Sequence, residues 1–480
     1  MREGVIMPPL PEGFREEMRS QTGEYAEDLL VALDSQPETG IRFNPRKQPL
    51  ESDDTSSAFV SAMRDATSVE WCAEGYRLDS RPVFTLMPEL HAGAFYVQDP
   101  SSMITRPVVQ KLVEIIRRQL GDPSACPSLL DLCAAPGGKT TAAIDGLPYG
   151  SPVIANEYEP SRIGALRANL MRWGYPYMAV THTSAVEYSR MPDAFDIVMA
   201  DAPCSGEGMM RKEPEARRQW SPGLVRQCAA LQRDILDAAV ATLKPGGYLI
   251  YSTCTFNLDE NERQLDYLAD TYGMEPMTID LSYAAIAGMP VRAFGDVAGM
   301  RFMPNVTRGE GLFMSVLKKP GHLVSDVSCR ASARKGKTKP PKDSDKAAGL
   351  LKNPDEYVIS AVGDVLSAVP EVIAPLLARL PKKVRVVASG VEIGMTRGKD
   401  FIPSPELGLS MAYNRGAMPE VEVDEATALN YLRRQPLILQ PEVPKGMVLI
   451  IYRGLPLGWV KNIGSRANNL YPKDLGIKFL

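Results

Sequence analysis

The run Leu129-Leu130-Asp131-Leu132-Cys133-Ala134-Ala135-Pro136-Gly137-Gly138-Lys139-Thr140 reads as a buried strand that breaks into a turn of small residues and then enters a helix. Outward from it the same succession recurs. Val153-Ile154-Ala155-Asn156, Phe195-Asp196-Ile197-Val198-Met199-Ala200 and Tyr248-Leu249-Ile250-Tyr251 are further strand candidates, with turn and helix signals between them. Strands alternating with helices predict an α/β fold around an open, mostly parallel sheet. Before the last of these strands, Ser221-Pro222 supplies a cap and a first helical position. Leu224, Cys228, Leu231, Ile235 and Leu236 then keep helical spacing until Lys244-Pro245-Gly246-Gly247 stops it. A final apolar run, Gly311-Leu312-Phe313-Met314-Ser315-Val316-Leu317, closes the sheet.

Composition bounds the rest. A chain of 480 residues, 44% hydrophobic and 23% charged, can bury a sizeable core and exceeds one ordinary domain. The seven cysteines are odd in number and contain no Cys-x-x-Cys pair, which argues against a disulfide framework or a zinc ribbon. No apolar run has the length of a membrane span, and the acidic stretch Pro11-Glu12-Gly13-Phe14-Arg15-Glu16-Glu17 is unlike a signal peptide, so a cytoplasmic protein is expected. A net charge of −4 carries no global basic signature, and any nucleic-acid surface must be local.

Four regions are expected: an accessory N-terminal region of short helices and turns over 1–100, the α/β domain over 101–320, a basic flexible linker over 321–354 and a C-terminal α+β module over 355–480. The linker assignment rests on the Lys, Arg, Ser and Pro that dominate from Lys318 to Lys352, including Arg334-Lys335-Gly336-Lys337-Thr338-Lys339-Pro340-Pro341-Lys342. Such a tether is solvated and can also touch phosphates.

The small residues after Asp131 let a ligand lie against backbone with a helix N-terminus behind it. A phosphate-binding loop would need a further Gly five positions before Gly138, where Cys133 stands, and the dinucleotide Gly-x-Gly-x-x-Gly pattern is absent. Glu157 falls at the end of the next strand, about twenty residues on, where a carboxylate can hold both ribose hydroxyls of an adenosine cofactor. Together these fit S-adenosylmethionine better than a nucleoside triphosphate; alone, the Gly-rich turn could be structural punctuation. Two further runs, Asp201-Ala202-Pro203-Cys204-Ser205-Gly206 and Tyr251-Ser252-Thr253-Cys254-Thr255, each place a cysteine just past an apolar strand. Ligands of open parallel sheets gather outside the carboxyl ends of the strands, so both sulfurs are expected in one pocket. Paired thiols there point to chemistry at a carbon that needs a temporary thioether.

Asp131 to Thr140, Asp201-Ala202-Pro203-Cys204-Ser205-Gly206-Glu207-Gly208 and Tyr251 to Thr255, in this order, resemble the signature of the Sun/RsmF family of RNA cytosine carbon-5 methyltransferases. Tyr96-Val97-Gln98-Asp99-Pro100-Ser101-Ser102, Met209-Met210-Arg211-Lys212, Gly458-Trp459-Val460-Lys461 and Leu470-Tyr471-Pro472 are similar to its bacterial RsmF-like branch. The resemblance implies a Rossmann-like S-adenosylmethionine-dependent sheet, an RNA-binding N-terminal region, a PUA-like C-terminal module, and ribosomal RNA or the small ribosomal subunit as partner. By the same resemblance Cys254 is the nucleophile, Cys204 assists loss of the carbon-5 proton and release, and Asp201 holds the cytosine edge. Cys133, Ala134, Ala135, Pro136, Gly137, Gly138 and Lys139 would line the methionine and ribose, Glu157 would hold the ribose, and Asp201 would lie close to the cofactor. Ser184 stands where the family commonly has an acid at the adenine.

Plainer roles compete for several residues. Cys228, Cys72 and Cys126 read as core, and the scattered His91, His182 and His322 have no metal-ligand spacing. Trp459 fits either base stacking or a small domain's core; Arg466, Asn468, Asn469 and Lys473 can meet phosphates, as can Arg211, Lys212, Arg217 and Arg218 if they are more than a solvated face. Two alternative functions stay open: a non-catalytic RNA-binding assembly factor, which has no need of two pocket thiols, and a DNA cytosine methyltransferase, whose Glu-Asn-Val motif is missing.

Overall fold

The computed structural model describes residues 7–48, 57–281, 299–324, 341–398 and 400–478. Strands β1 (Thr39–Phe43), β2 (Thr67–Val69), β3 (Cys72–Leu78) and β4 (Phe95–Val97) form an antiparallel sheet in the order β2-β3-β1-β4. Only short helices and turns were expected in this region. Strands of three to seven residues are too short to display a clear two-residue period.

The central sheet is built from β5 (Leu129–Asp131), β6 (Val153–Glu157), β7 (Met178–His182), β8 (Phe195–Asp201), β9 (Leu243–Thr253), β10 (Glu275–Met277), β11 (Met300–Phe302) and β12 (Leu312–Lys318). β7 was not anticipated. Strands β9, β8, β5, β6 and β7 run parallel in that spatial order, while β12 pairs antiparallel with β9. Leu129 and Leu130, adjacent on β5, enter different cores, one on each face of the sheet. Val108, Leu112 and Ile116 of the helix Thr105–Leu120 cover the first face; Ile235, Leu236, Ala239 and Val240 of the helix Pro222–Thr242 cover the second. The expected cap is present: Ser221 Oγ accepts the Leu224 N–H at 3.1 Å and Pro222 occupies the first turn. Leu231 departs from the expected buried stripe and is 46% exposed, and Cys126, expected in the core, is exposed.

Strands β13 (Tyr357–Val362) and β14 (Val365–Pro370) open the C-terminal module, but β15 (Arg385–Ser389) leaves it and pairs antiparallel with β7 of the central sheet. The chain then returns through β16 (Val391–Arg397) and β17 (Asp400–Pro403), and ends with β18 (Glu420–Glu422), β19 (Gly446–Tyr452), β20 (Leu455–Asn462) and β21 (Ala467–Asn469). The expected separate module is therefore joined to the catalytic sheet by hydrogen bonds. Most of the expected basic run, 325–340, lies outside the described residues. Its last part is packed: Ala347, Leu350 and Leu351 are buried in the C-terminal core, and the Lys352 N–H donates to Ala412 O at 2.9 Å. Among the described residues no helix is long and apolar enough to cross a membrane.

Candidate active site

Strand order reverses at β5, which lies between β6 and β8, and this is where open α/β sheets form their ligand crevice. The Gly-rich loop fills that position. Gly137 has φ of 107°, a left-handed conformation that favours glycine, and the helix Gly138–Gly146 begins directly after it. A Cβ on Gly138 would meet the Tyr96 ring at 3.3 Å, so the loop has neighbours on its outer side. Tyr96 Oη donates to Pro136 O at 3.2 Å and Asn169 Nδ2 donates to the same carbonyl at 2.9 Å. Beneath the loop, Asp131 accepts from Thr140 Oγ1 at 2.6 Å, and burial pushes its carboxyl up to about 7.

Glu157 ends β6 and is buried. Its Oε2 accepts the Ala135 N–H at 3.2 Å and its Oε1 the Glu159 N–H at 2.7 Å, with Arg162 at 3.7 Å. A carboxylate has about four acceptor positions, so this one retains capacity for a diol. Ser184 follows β7, whose His182 is paired with Glu157, so it lies at the same edge of the sheet. Its hydroxyl makes no cap bond to the short helix Ala185–Arg190. A carboxylate at a strand end, a loop of small residues and a polar side chain one strand further fit the ribose, methionine and adenine parts of S-adenosylmethionine.

The second half of the site comes from β8 and β9. Asp201 is paired with Ser252 across these parallel strands, and the cysteines follow just beyond each. Cys204 Sγ and Cys254 Sγ are 3.2 Å apart, and the Cys254 N–H points at Cys204 Sγ at 3.4 Å. The hydrogen bond to Cys254, together with burial, holds the Cys204 thiol well above the ordinary thiol range. Asp201 accepts from Lys139 Nζ at 2.8 Å on one oxygen and from Ser252 Oγ at 2.8 Å on the other. Burial works against the Lys139 ammonium, but the Asp201 carboxylate outweighs it and raises the lysine. The Gly-rich loop and the thiol pair are thus linked through Lys139 and Asp201. Cys133 flanks them as a thiol that burial pushes well above its ordinary range.

Other expected contacts fall elsewhere. Arg217 donates to Met210 O at 2.6 Å, Leu33 O at 2.7 Å and Pro8 O at 2.8 Å, and is buried. Arg211 bonds Ser35, Gln36 and Gly309 carbonyls. Both tie the N-terminal region to the Cys204 loop rather than presenting a basic face to RNA. Lys212 pairs with Glu310 at 3.3 Å and Arg218 with Glu215 at 2.7 Å. Trp459 is core: 1% exposed, its Nε1 donates to Ser404 O at 2.9 Å. Asn469 is also engaged, donating to Tyr431 O at 2.8 Å, whereas Arg466 and Lys473 are exposed. Glu207, Glu260, Asn257 and Gln232, for which the sequence pattern indicates no role, are fully buried. The only signal was the closeness of Glu207, Asn257 and Glu260 to the two cysteines in the chain; Gln232, in the helix Pro222–Thr242, carried none.

Three family models match the chain: 16S rRNA methyltransferase RsmB/F over residues 119–318, the N-terminal domain of 16S rRNA methyltransferase RsmF over 10–100, and the methyltransferase RsmF PUA domain over 418–477. The chain is 30% identical over 423 residues to ribosomal RNA small subunit methyltransferase F of Escherichia coli (strain SE11), covering 85% of this chain and 84% of that one. A protein of the same name from Shewanella loihica is 30% identical over 443 residues, covering 88% and 87%. Among solved structures, a methyltransferase homolog protein from Pyrococcus horikoshii aligns with a TM-score of 0.52 at 25% identity, over 64% of this chain and 95% of that one. NSun6 from Pyrococcus horikoshii, solved with SFG, aligns with a TM-score of 0.51 at 18% identity, over 65% and 98%.

Proposed function

Because the chain belongs to the RsmB/F family of 16S rRNA methyltransferases, we propose that it methylates carbon 5 of a cytosine in 16S rRNA through a temporary bond from Cys254 to carbon 6 of the base. The observation that carries this reading is the thiol pair, 3.2 Å apart, beside Asp201 and Lys139 at the carboxyl edge of the sheet. S-adenosylmethionine, when bound, supplies an electrophilic methyl group. The chain's own residues make the base able to take it.

Carbon 5 of cytosine is a poor nucleophile until a thiolate adds at carbon 6 and turns the ring into an enamine. Cys254 makes that bond, and the cytosine must leave its stack to reach it. Asp201 accepts from the exocyclic amine or the protonated ring nitrogen, and Lys139 beside it offsets the carboxylate charge. Cys204 keeps its proton while the neighbouring sulfur carries negative charge. Once that sulfur is bonded to carbon, the constraint is gone, and Cys204 releases its proton to solvent and becomes the thiolate base. It takes the carbon-5 proton, the carbon-sulfur electron pair returns to Cys254, and the 5-methyl base departs. An assembly factor without catalysis would need none of this arrangement. Exposed Arg466 and Lys473 of the PUA-type module would meet RNA phosphates, and methylation of rRNA would take place in the cytoplasm.

Bisulfite sequencing of 16S rRNA from cells with and without the protein tests this directly. One or more cytosines lose protection in its absence and regain it when the purified protein and S-adenosylmethionine are added. Identical protection patterns in the two RNAs would refute the assignment. A companion prediction concerns Glu157. Its replacement by glutamine, which keeps the shape and removes the charge, weakens S-adenosylmethionine binding by about 1.5–3 kcal/mol, the range of hydrogen bonds to charged groups. Calorimetry measures it, and unchanged affinity would remove Glu157 from the ribose.

A further inference from the structure

Glu207 lies three residues beyond Cys204 and is fully buried. Its Oε2 accepts the backbone N–H groups of Phe256 at 2.7 Å and Asn257 at 3.0 Å, and the Thr255 hydroxyl. Its Oε1 accepts Asn257 Nδ2 at 3.0 Å and Trp220 Nε1 at 3.0 Å. Four of these five donors, two backbone N–H groups and two side chains, belong to residues 255–257, the chain immediately after Cys254. Glu260 faces the other way. It lies beyond Cys254, and its Oε2 accepts the Ser205 N–H at 2.9 Å and Gln232 Nε2 at 2.8 Å. Gln232 Nε2 also donates to Pro203 O at 3.0 Å. Asn257 Nδ2 bridges the two acids, donating to Glu260 Oε1 at 2.8 Å. Between them the Gly208 N–H donates to Cys254 O at 2.8 Å, in space so tight that a Cβ on Gly208 would meet that oxygen at 2.8 Å.

We propose that Glu207 and Glu260 are reciprocal positioning carboxylates, each holding the backbone of the other's cysteine loop, so that the Cys204–Cys254 spacing is set before RNA arrives. The proposal rests on the thiol-pair reading of the site. Five neutral donors converge on Glu207, which suits a carboxylate, an acceptor at both oxygens. Glutamine has the same shape but replaces one of those oxygens with an amide NH2, a donor that would face other donors. Burial raises the Glu260 carboxyl, whereas the hydrogen bonds from Ser205 and Asn257 favour its charged form. The acids touch neither thiol and act through the loops that carry them.

The test uses full-length protein and phenylarsine oxide, which condenses with two adjacent thiols to form two arsenic-sulfur bonds while the two thiol protons leave with the arsenic-bound oxygen as water. Wild type takes one equivalent at Cys204 and Cys254, and Cys204→Ala, which breaks the pair, defines the background from the other cysteines. Glu207→Gln is expected to keep S-adenosylmethionine affinity and a cooperative melt, but to lose that equivalent. Its kcat falls about 100-fold, the scale set by a displacement of about 1 Å at reacting groups, with KM for RNA unchanged. A folded Glu207→Gln that captures the arsenical as wild type does would overturn the proposal. If that variant does not fold, Glu260→Gln decides by the same two outcomes, since only one of its oxygens need become a donor facing Asn257. Wild type that captures the arsenical but methylates no cytosine refutes the functional reading and leaves the clamp standing.

Discussion

Cys254→Ala abolishes methyl transfer while leaving S-adenosylmethionine binding intact, and Cys204→Ala yields an enzyme that stays attached to its RNA. The two outcomes follow from one arrangement. The sulfurs sit 3.2 Å apart, close enough for one to bond the ring while the other serves the adduct. Removing Cys254 removes the only step that makes carbon 5 nucleophilic, and the residual rate falls below detection. None of the groups proposed to hold the cofactor, from Cys133 to Lys139 and Glu157, depends on that sulfur, so binding persists. Removing Cys204 leaves addition and methylation possible, because Cys254 is still present and Asp201 keeps its bonds from Lys139 and Ser252. It removes the group that takes the carbon-5 proton. The adduct then accumulates as an RNA-protein species that survives denaturing electrophoresis. The reverse pattern, with RNA trapped by Cys254→Ala and not by Cys204→Ala, would exchange the two roles and favour the mechanism of the DNA enzymes.

The residues that were legible in the chain were those whose roles are local. β5, β6, β8 and β9 are buried on both faces, so each leaves an apolar run that any reader can find. The thiols were legible because each follows such a run, and a parallel sheet brings strand ends together. β15 was not legible: Arg385-Val386-Val387-Ala388-Ser389 is half exposed, and its partner β7 lies far away in the chain. Arg211 and Arg217 looked like a basic face because their partners are carbonyls of the N-terminal region, which no local pattern announces. Glu207 and Glu260 were hidden for the same reason. A loop carboxylate reads as solvated until the other loop's amides are seen around it.

A chain ending at Lys319 is expected not to fold cooperatively, although every residue of the candidate site lies before that point. The expected flexible linker over 321–354 implied an independent C-terminal module; the connection through β15 argues otherwise. Without β15, the backbone of β7 becomes a bare sheet edge, a template for aggregation. The Gly390 N–H no longer donates to Met178 O, nor the Met411 N–H to Gly174 O, both at 2.9 Å in the intact chain. Leu376 and Val384 leave the core on one face of the central sheet, and each such side chain is worth about 1.5–3 kcal/mol of burial. On the other side, Glu89, fully buried against Arg453 at 2.9 Å, loses its cation, and Ala92 and Ala94 lose the apolar cluster formed with Tyr431, Val448 and Leu457. Breaking one buried ion pair costs about 3–5 kcal/mol, against a typical total stability of about 5–15 kcal/mol. Circular dichroism melts and sedimentation of the shortened chain, compared with the full one, decide it. A cooperative melt at the same temperature with intact S-adenosylmethionine binding would show that β15 only borders the sheet. A broad melt with soluble aggregates, relieved when residues 341–478 are supplied as a separate polypeptide, would establish that the C-terminal module completes the fold that carries the thiols.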